Sequence, residues 1–171
     1  AKAYWGAFRA RLESSRPGAE LGITRQQWLM PLLAELGYDD LDFRQQAEEF
    51  RELARERYAL RLDYSPHTLA HLEDWIQAEF SSGSADANST LIVALGCYVG
   101  EVVVRNLMGA WQADEEFFHS PAVVIEGKLQ TRTFPLSRVW KRFEYGREHS
   151  LAAYYQELLT TLAHLKPQRV M

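Results

Sequence analysis

The sequence predicts an α+β fold that is mainly helical, with a central buried helix and a small antiparallel sheet or hairpin. Three observations lead to this prediction. The run Leu91–Val104 is apolar on nearly every side, as in a core helix. Apolar residues recur at helical spacing on both sides of that run. Short strand-like stretches follow it around Gly127, which indicates a hairpin.

Length and composition favour one globular domain. The chain has 171 residues, of which 47% are hydrophobic and 25% are charged, and such a chain can bury a core. We expect a single domain over 1–171, with a helical N-terminal part over 1–80. A second part, over 88–165, would contain the central helix, the hairpin and the C-terminal helices. The only cysteine, Cys97, excludes an intrachain disulfide framework and fits a reducing, cytoplasmic location.

Helical spacing predicts four helices before the central one. The first two fall within residues 4–12 and 24–37. A third opens at Asp40 or Asp42, because either carboxylate can cap a helix. A fourth opens at Ser65, where a proline follows in the first helical position.

The central helix has end signals and small residues. Asn88–Thr90 offer N-cap oxygens, and Gly109 can take the left-handed position after the last turn. Gly96 and Gly100 share a face, which lets a neighbouring backbone approach closely and offsets their low helix propensity. Cys97 is expected to be a small buried side chain. The uninterrupted apolar part is about 14 residues, short of the roughly 18–20 that a bilayer crossing needs, so we expect no membrane span.

Short strands and two helices follow the central helix. Trp111 begins a strand, and Ala122–Glu126 and Leu129–Phe134 flank Gly127-Lys128. This arrangement predicts a hairpin with a two-residue turn. A helix then runs from the next proline to Gly146, and the last helix begins after a capping serine.

The outer face of the third helix is densely charged, with both signs interleaved. Its acidic side chains are Glu48, Glu49, Glu52 and Glu56. A mixed-sign run of this kind predicts a solvated face held by ion pairs, or alternatively a surface that covers a basic site on a partner.

A local excess of positive charge follows the hairpin. This basic cluster comprises Arg132, Arg138, Lys141, Arg142 and Arg147. Its arginines could pair with the acidic first half of the chain, contact an anionic protein partner, or hold the phosphates of a nucleic acid. Ion pairing is the favoured interpretation, and Arg138, Lys141 and Arg142 are the candidates for contact with a partner.

Glu101 and Arg105, at the end of the central helix, have the spacing and order of a stabilising ion pair. An alternative makes Glu101 a functional carboxylate in a cleft with Arg105 and Trp111. That interpretation requires an open pocket near His67 or His71.

His67 and His71 are four residues apart, the spacing of a zinc-binding pair on a helix. The residues between them lack the glutamate of zinc proteases, and a third ligand would have to come from Asp63 or Asp74. We expect no metal and no cofactor. The sequence contains no phosphate-binding loop, dinucleotide fingerprint or nucleophile elbow, so nothing in it supports an enzyme.

The second half of the chain also resembles a known family. The motifs are Leu95–Glu101, Gly109–Trp111 and Phe134–Gly146. Over about residues 90–160 they resemble the uncharacterised bacterial family named domain of unknown function 3806. The resemblance implies a bacterial α+β domain without an established catalytic residue set. Similar small domains occur beside bacterial toxins as candidate immunity proteins, an association by analogy.

We therefore expect a non-enzymatic protein-binding domain of bacterial origin, with immunity to or inhibition of a toxin as its most concrete form. Two alternatives stay open. One is an enzyme with a cleft formed by Glu101 and a histidine. The other is a domain that binds an anionic ligand or a nucleic acid through the cluster Arg132–Arg147.

Overall fold

The computed structural model describes residues 42–114, 120–127 and 130–165. The helices predicted within residues 4–12 and 24–37 lie outside these ranges. The described part confirms the mainly helical α+β fold with a small antiparallel sheet. Its elements, in chain order, are α1 Phe43–Tyr58, α2 Thr68–Glu79, α3 Ser89–Leu107, β1 Gly109–Asp114, β2 Ser120–Ile125, β3 Thr131–Thr133, α4 Pro135–Tyr145 and α5 Leu151–Leu165.

The predicted central helix is α3. Every residue from Leu95 to Val103 is buried, and α1, α4, β1 and β2 all pack against this helix. A Cβ atom built on Gly96 would lie 2.9 Å from the Cα atom of Leu136 in α4, so α4 comes close enough to exclude any side chain there. Gly100 instead makes room for the indole ring of Trp111. The predicted close approach of a neighbouring backbone is confirmed at Gly96.

The two ends of α3 differ from the prediction in detail. Met108, not Gly109, takes the left-handed conformation after the helix, with φ 55° and ψ 40°. Gly109 instead begins β1, where a Cβ atom would lie 2.7 Å from Cγ1 of Val123. Strand packing, and not the helix cap, therefore requires glycine at position 109. At the other end, Asn88 gives no side-chain cap hydrogen bond, because its amide donates to the carbonyl of Ser84 at 2.8 Å.

The hairpin between β2 and β3 is longer than predicted. Val123 pairs with Thr133, and Ile125 pairs with Thr131, so residues 126–130 form the connection instead of a two-residue turn. A one-residue slip exchanges the two faces of a strand. The two-residue turn would have placed Arg132 opposite Val123, whose side chain belongs to the core. The observed register buries Thr133 and leaves Arg132 exposed.

The helices on either side begin close to where the sequence predicts. Asp42 caps α1 by accepting a hydrogen bond from the amide of Gln45 at 3.0 Å. The first turn before α2 starts at Ser65, whose carbonyl accepts from the amide of Thr68 at 3.1 Å. Ser150 caps α5 through the amide of Ala153 at 3.2 Å. The capping signals in the sequence therefore place these three helices within a few residues.

Membrane propensity and burial point in different directions for α3. The stretch Asp86–Leu107, which is α3 with the short turn before it, is long and apolar enough to cross a bilayer by length and composition alone. It is longer than the apolar run of about 14 residues on which the sequence expectation was based. However, 61% of its apolar window is buried inside the described structure. A core helix passes the same test, and α3 has the burial of one.

Candidate anion-binding pocket

A pocket of about 640 Å³ opens beside the start of α4. Its walls come from β3, from the first turns of α4, from the turn between α4 and α5, and from α5. The lining residues are Arg132, Thr133, Phe134, Ser137, Arg138, Lys141, Glu148, His149 and Tyr154. The wall combines apolar surface with three basic side chains and three hydroxyl groups, so the pocket can accept a ligand that carries a negatively charged group.

The cationic side chains of the pocket come from two elements. Arg132 lies on β3, and Arg138 and Lys141 lie three residues apart on one face of α4. The guanidinium of Arg138 is held in place on two sides: it lies 4.9 Å from the ring centroid of Tyr154, and its Nη2 is 3.0 Å from Oε2 of the exposed Glu157. A cation that is already positioned loses less side-chain entropy when an anion binds.

Hydroxyl groups form the floor of the pocket. Thr133 and Ser137 are buried, and the hydroxyl of Tyr154 forms a short hydrogen bond with Oγ1 of Thr133. Burial raises the pKa of the Tyr154 hydroxyl, so this group is a neutral donor at ordinary pH. Because one hydroxyl of the pair donates to the other, the second retains its own proton for a further acceptor.

The start of α4 adds a favourable dipole. Pro135 occupies the first helical position, where its missing amide proton costs nothing. Ser137 follows in the first turn and lines the pocket. The amides of a first helical turn have no partner within the helix and carry partial positive charge, which favours an anion at this end.

The pKa of His149 depends on burial and on the charged side chains around the pocket. Its pKa is lowered, first by burial and then by the positive charges of Lys141 and Arg138, while Glu148 and Glu157 act in the opposite direction. The imidazole Nε2 is 3.8 Å from Oε1 of Glu148, whose side chain is 72% exposed. The pocket therefore keeps His149 neutral near pH 7, and an added negative charge would favour its protonation.

The remaining members of the predicted basic cluster lie elsewhere. Arg142 is only 3% exposed, and its Nε donates to Oε2 of Glu73 in α2 at 2.9 Å. Arg147 donates to Oε1 of Gln77 in the same helix at 3.0 Å. Pairing with the acidic first half is thus confirmed for Arg142, and the prediction that Arg142 contacts a partner does not fit its burial. At about 100° per residue, Arg138 lies between Lys141 and Arg142 around α4, and Arg142 is on the side that faces α2.

The charged face of α1 is ion-paired within its own helix. Arg51 lies 2.6 Å from Glu48 and 3.7 Å from Glu52, and Arg55 lies 3.1 Å from Glu52. Glu49 accepts hydrogen bonds from the side-chain amides of two glutamines at 2.8 and 3.1 Å, and Glu56 is exposed. The predicted solvated, salt-bridged face is confirmed.

Glu101, Arg105 and Trp111 do meet, but they do not form an open cleft. The carboxylate of Glu101 is buried, with the residue 1% exposed. One oxygen accepts from Nε of Arg105 and the other from Nε1 of Trp111, both at 3.1 Å. Phe43 stacks on the indole at 4.3 Å. The predicted ion pair is confirmed, and the cleft required by the enzymatic alternative does not occur at Glu101.

His67 is the residue just before α2, and His71 lies in the first turn of that helix. The rings of His67 and His71 are 5.6 Å apart, both residues are exposed, and Nδ1 of His67 lies 2.7 Å from Oγ of Ser65. Among the residues that the structure describes, no group of three or more histidine, cysteine or acidic side chains could hold a metal ion. Cys97 is fully buried, as predicted, and burial raises its thiol pKa to about 12.

Sequence reasoning missed most of the polar wall of the pocket. Thr133, Ser137, Tyr154 and His149 come from separate stretches of the chain, so no local motif joins them. The one sequence signal for the pocket was the basic cluster, which contains Arg132, Arg138 and Lys141. Arg132 lines the same pocket as the other two because of the register of β3.

Comparison of the chain with protein-family models, with curated proteins and with solved structures finds no match.

Proposed function

We propose that this protein is a non-enzymatic binding domain whose partner places an anionic group in the basic pocket. The pocket beside α4, where Arg132, Arg138 and Lys141 converge with His149, carries this proposal. Arginine and lysine side chains in an open pocket can bind carboxylate and phosphate groups through charge-assisted hydrogen bonds.

Charge and structure favour the basic pocket over the acidic helix as the contact surface. Glu48 and Glu52 of α1 are already paired with arginines of the same helix, so a basic partner would have to break those pairs to reach them. In the pocket, burial lowers the pKa of His149 most, and the positive charges of Lys141 and Arg138 lower it further. An anion gains from that field, and it would share Arg138 with the exposed Glu157.

The shape of the site favours a protein partner or a small anion over a long nucleic acid. Single-stranded nucleic acids bind along extended basic grooves with exposed aromatic platforms. Here Trp140, which the sequence placed inside the basic cluster, is buried, and Arg142 and Arg147 turn toward α2. The basic residues that remain at the pocket surround one compact volume.

In its most concrete form, the proposed partner is a bacterial toxin and this chain is its immunity protein. The family resemblance over residues 90–160 supports that form by analogy. It predicts a stoichiometric complex in the cytoplasm and protection of cells that express both proteins. A toxin held in this way would present an acidic side chain or terminus to the pocket.

Affinity capture with the tagged full chain from its source cells tests the proposal. Wild-type protein would be compared with the double variant Arg132→Gln/Lys141→Gln and with a matched control, Arg55→Gln/Arg57→Gln. Both control arginines are exposed on α1. The proposal predicts one dominant stoichiometric partner for the wild type and the control, and loss of that partner for the pocket variant.

Thermal unfolding of all three proteins would establish that they are folded. Equal capture by the pocket variant and the wild type would overturn the assignment of the binding surface. The absence of any partner at stoichiometric yield would overturn the protein-binding role itself.

A further inference from the structure

We propose that His67 and His71, at the start of α2, bind a divalent transition-metal ion of the class that prefers imidazole ligands, such as Zn²⁺. Neither residue lines the basic pocket, so this inference is independent of the function proposed there. Three observations point to the site: the separation of the two rings, the hydrogen bonds that orient His67, and the exposure of both side chains.

The two imidazole rings lie one helical turn apart. His67 directly precedes α2 and has helical dihedral angles, φ −67° and ψ −23°, so His71 follows it at a spacing at which side chains on a helix meet. The ring centroids are 5.6 Å apart, and the ring planes are at 80°, so the rings are not stacked. Two imidazoles on one tetrahedral zinc ion, with bonds of about 2.0–2.1 Å, have centroids about 5 Å apart. Small rotations of two exposed side chains supply the difference.

A chain of hydrogen bonds orients the ring of His67. Oγ of Ser65 lies 2.7 Å from Nδ1 of His67, and the same hydroxyl forms a short hydrogen bond with Oδ1 of Asp63. Asp63 is exposed and is a carboxylate at neutral pH, so it only accepts. Ser65 therefore donates its one proton to Asp63 and accepts from the Nδ1–H group of His67.

This arrangement fixes the tautomer of the neutral His67 ring. With the proton on Nδ1, Nε2 carries the lone pair that a metal ion needs. The 3.4 Å distance between Nε2 and Oγ of Ser65 is longer than a usual hydrogen bond, so Ser65 does not occupy Nε2. Histidines that bind metals characteristically donate their second ring N–H, which sets the orientation and the basicity of the ring. His67 has such a partner in Ser65, which passes the interaction on to Asp63.

The site is open to solvent. Both histidines are exposed, and within the described ranges no group of three histidine, cysteine or acidic side chains surrounds a metal position. Two protein nitrogens leave two positions of a tetrahedral ion to water or to a ligand from another molecule. The partial positive charge at the start of a helix opposes a cation, and the carboxylate of Asp63 offsets it. The site therefore suits an exchangeable ion, in contrast to a structural zinc with four protein ligands.

Isothermal titration calorimetry of the untagged full chain with ZnCl₂ at pH 7.5 tests the inference. MgCl₂ is the comparison, because Mg²⁺ prefers oxygen ligands. We expect one Zn²⁺ per chain in a saturable titration and no binding of Mg²⁺ at the same concentrations. His67→Gln and His71→Gln should each weaken Zn²⁺ binding at least about tenfold, since losing a ligand costs no less than losing the partner that orients it. The control His164→Gln removes an exposed histidine of α5 and should leave the affinity unchanged.

The variant Ser65→Ala tests the hydrogen bonds that orient His67. It should weaken Zn²⁺ binding by about tenfold or more, while far-ultraviolet circular dichroism shows an unchanged helix content. In ¹⁵N NMR of the metal-free wild type, the neutral His67 ring should carry its proton on Nδ1, and Zn²⁺ should shift its Nε2 resonance. A purely structural role for Ser65 would leave the Zn²⁺ affinity unchanged.

Each result decides the question. The absence of saturable Zn²⁺ binding, or binding that survives both histidine substitutions, would overturn the site. Equal losses from His164→Gln and His67→Gln would indicate adventitious binding to surface histidines only and would also overturn it. A neutral His67 ring with its proton on Nε2 would refute the orienting hydrogen bonds. These outcomes leave the basic pocket untouched, and the capture experiment decides the proposed function separately.

Discussion

Replacing Gly96 by alanine tests how closely the central helix and α4 pack. In an isolated helix the change is stabilising, because alanine exceeds glycine in helix propensity by up to about 1 kcal/mol. In this protein the new Cβ atom would lie 2.9 Å from Cα and 2.8 Å from Cγ of Leu136. The first of these atoms belongs to the backbone, so a side-chain rotation cannot relieve the contact.

The magnitude follows from these two opposing effects. Overpacking of a core costs about 1–3 kcal/mol, and a backbone contact falls in the upper part of that range because two helices must separate. Subtracting about 1 kcal/mol for helix propensity leaves a net loss of about 1–2 kcal/mol for Gly96→Ala. In a chain of 171 residues, a loss of that size lowers the Tm by several degrees.

Urea unfolding followed by far-ultraviolet circular dichroism measures the change in the free energy of unfolding. The variant Ala70→Gly, at an exposed position of α2, serves as a control, since it gives the effect of glycine in a helix of this protein without a packing change. We expect a loss of up to about 1 kcal/mol for the control. A Gly96→Ala variant that is more stable than the wild type would refute the close contact with Leu136.

Three further predictions concern buried polar contacts and acid sensitivity. Arg142→Met should lower the free energy of unfolding by about 2–4 kcal/mol in urea titrations, because it leaves the partly buried carboxylate of Glu73 without its cation; an unchanged value would contradict the ion pair. Trp111→Phe should cost about 1.5–3 kcal/mol by removing the hydrogen bond to the buried carboxylate of Glu101, and a cost well below 1 kcal/mol would show that this bond is dispensable. The pKa of His149 is lowered in the folded chain, so the folded state binds fewer protons than the unfolded state below the ordinary value of 6.5. Stability should therefore fall as the pH drops through 6.5, and the His149→Gln variant should lose less stability between pH 7.5 and 5; parallel curves would contradict this assignment.

The sequence predicted the helical part of the fold well because its signals are local. The apolar run of α3, the cap at Asp42, the proline at the start of α4 and the capping serine before α5 each act over one or two helical turns. The left-handed residue was placed one position late, at Gly109 and not at Met108. Helix-end propensity favours glycine at the left-handed position. The glycine is instead required one residue later, in β1, where a side chain would collide with Val123.

The pocket could be predicted only in part because its geometry depends on strand register. Arg138 and Lys141 share a face of α4, and helical periodicity shows this directly. Arg132 faces outward only because β3 pairs with β2 after a longer connection than the Gly-Lys turn suggested. Register is set by the burial of Thr133 and Val123, which is a tertiary effect.

A tertiary effect also explains why Arg142 does not line the pocket with Arg138 and Lys141. The sequence shows that Lys141 and Arg142 are adjacent in α4 and therefore about 100° apart around its axis, but it does not show which element covers each side. Glu73 and the start of α5 surround Arg142: Oε2 of Glu73 accepts from its Nε, and Oε1 accepts from the amide of Leu151. A buried cation with this partner stabilises the fold and cannot meet a ligand without leaving it.

The most direct test of anion binding is a titration of the ¹⁵N-labelled full chain with phenyl sulfate at constant ionic strength, followed by NMR. Our account predicts saturable shifts at the amides of Thr133 and Ser137 and at the His149 ring, with protonation of that ring favoured as the site fills. It also predicts no saturable shifts near the exposed arginines of α1, Arg55 and Arg57. Shifts that stay linear in ligand concentration, or that are equal at the pocket and on α1, would contradict a specific anion-binding pocket.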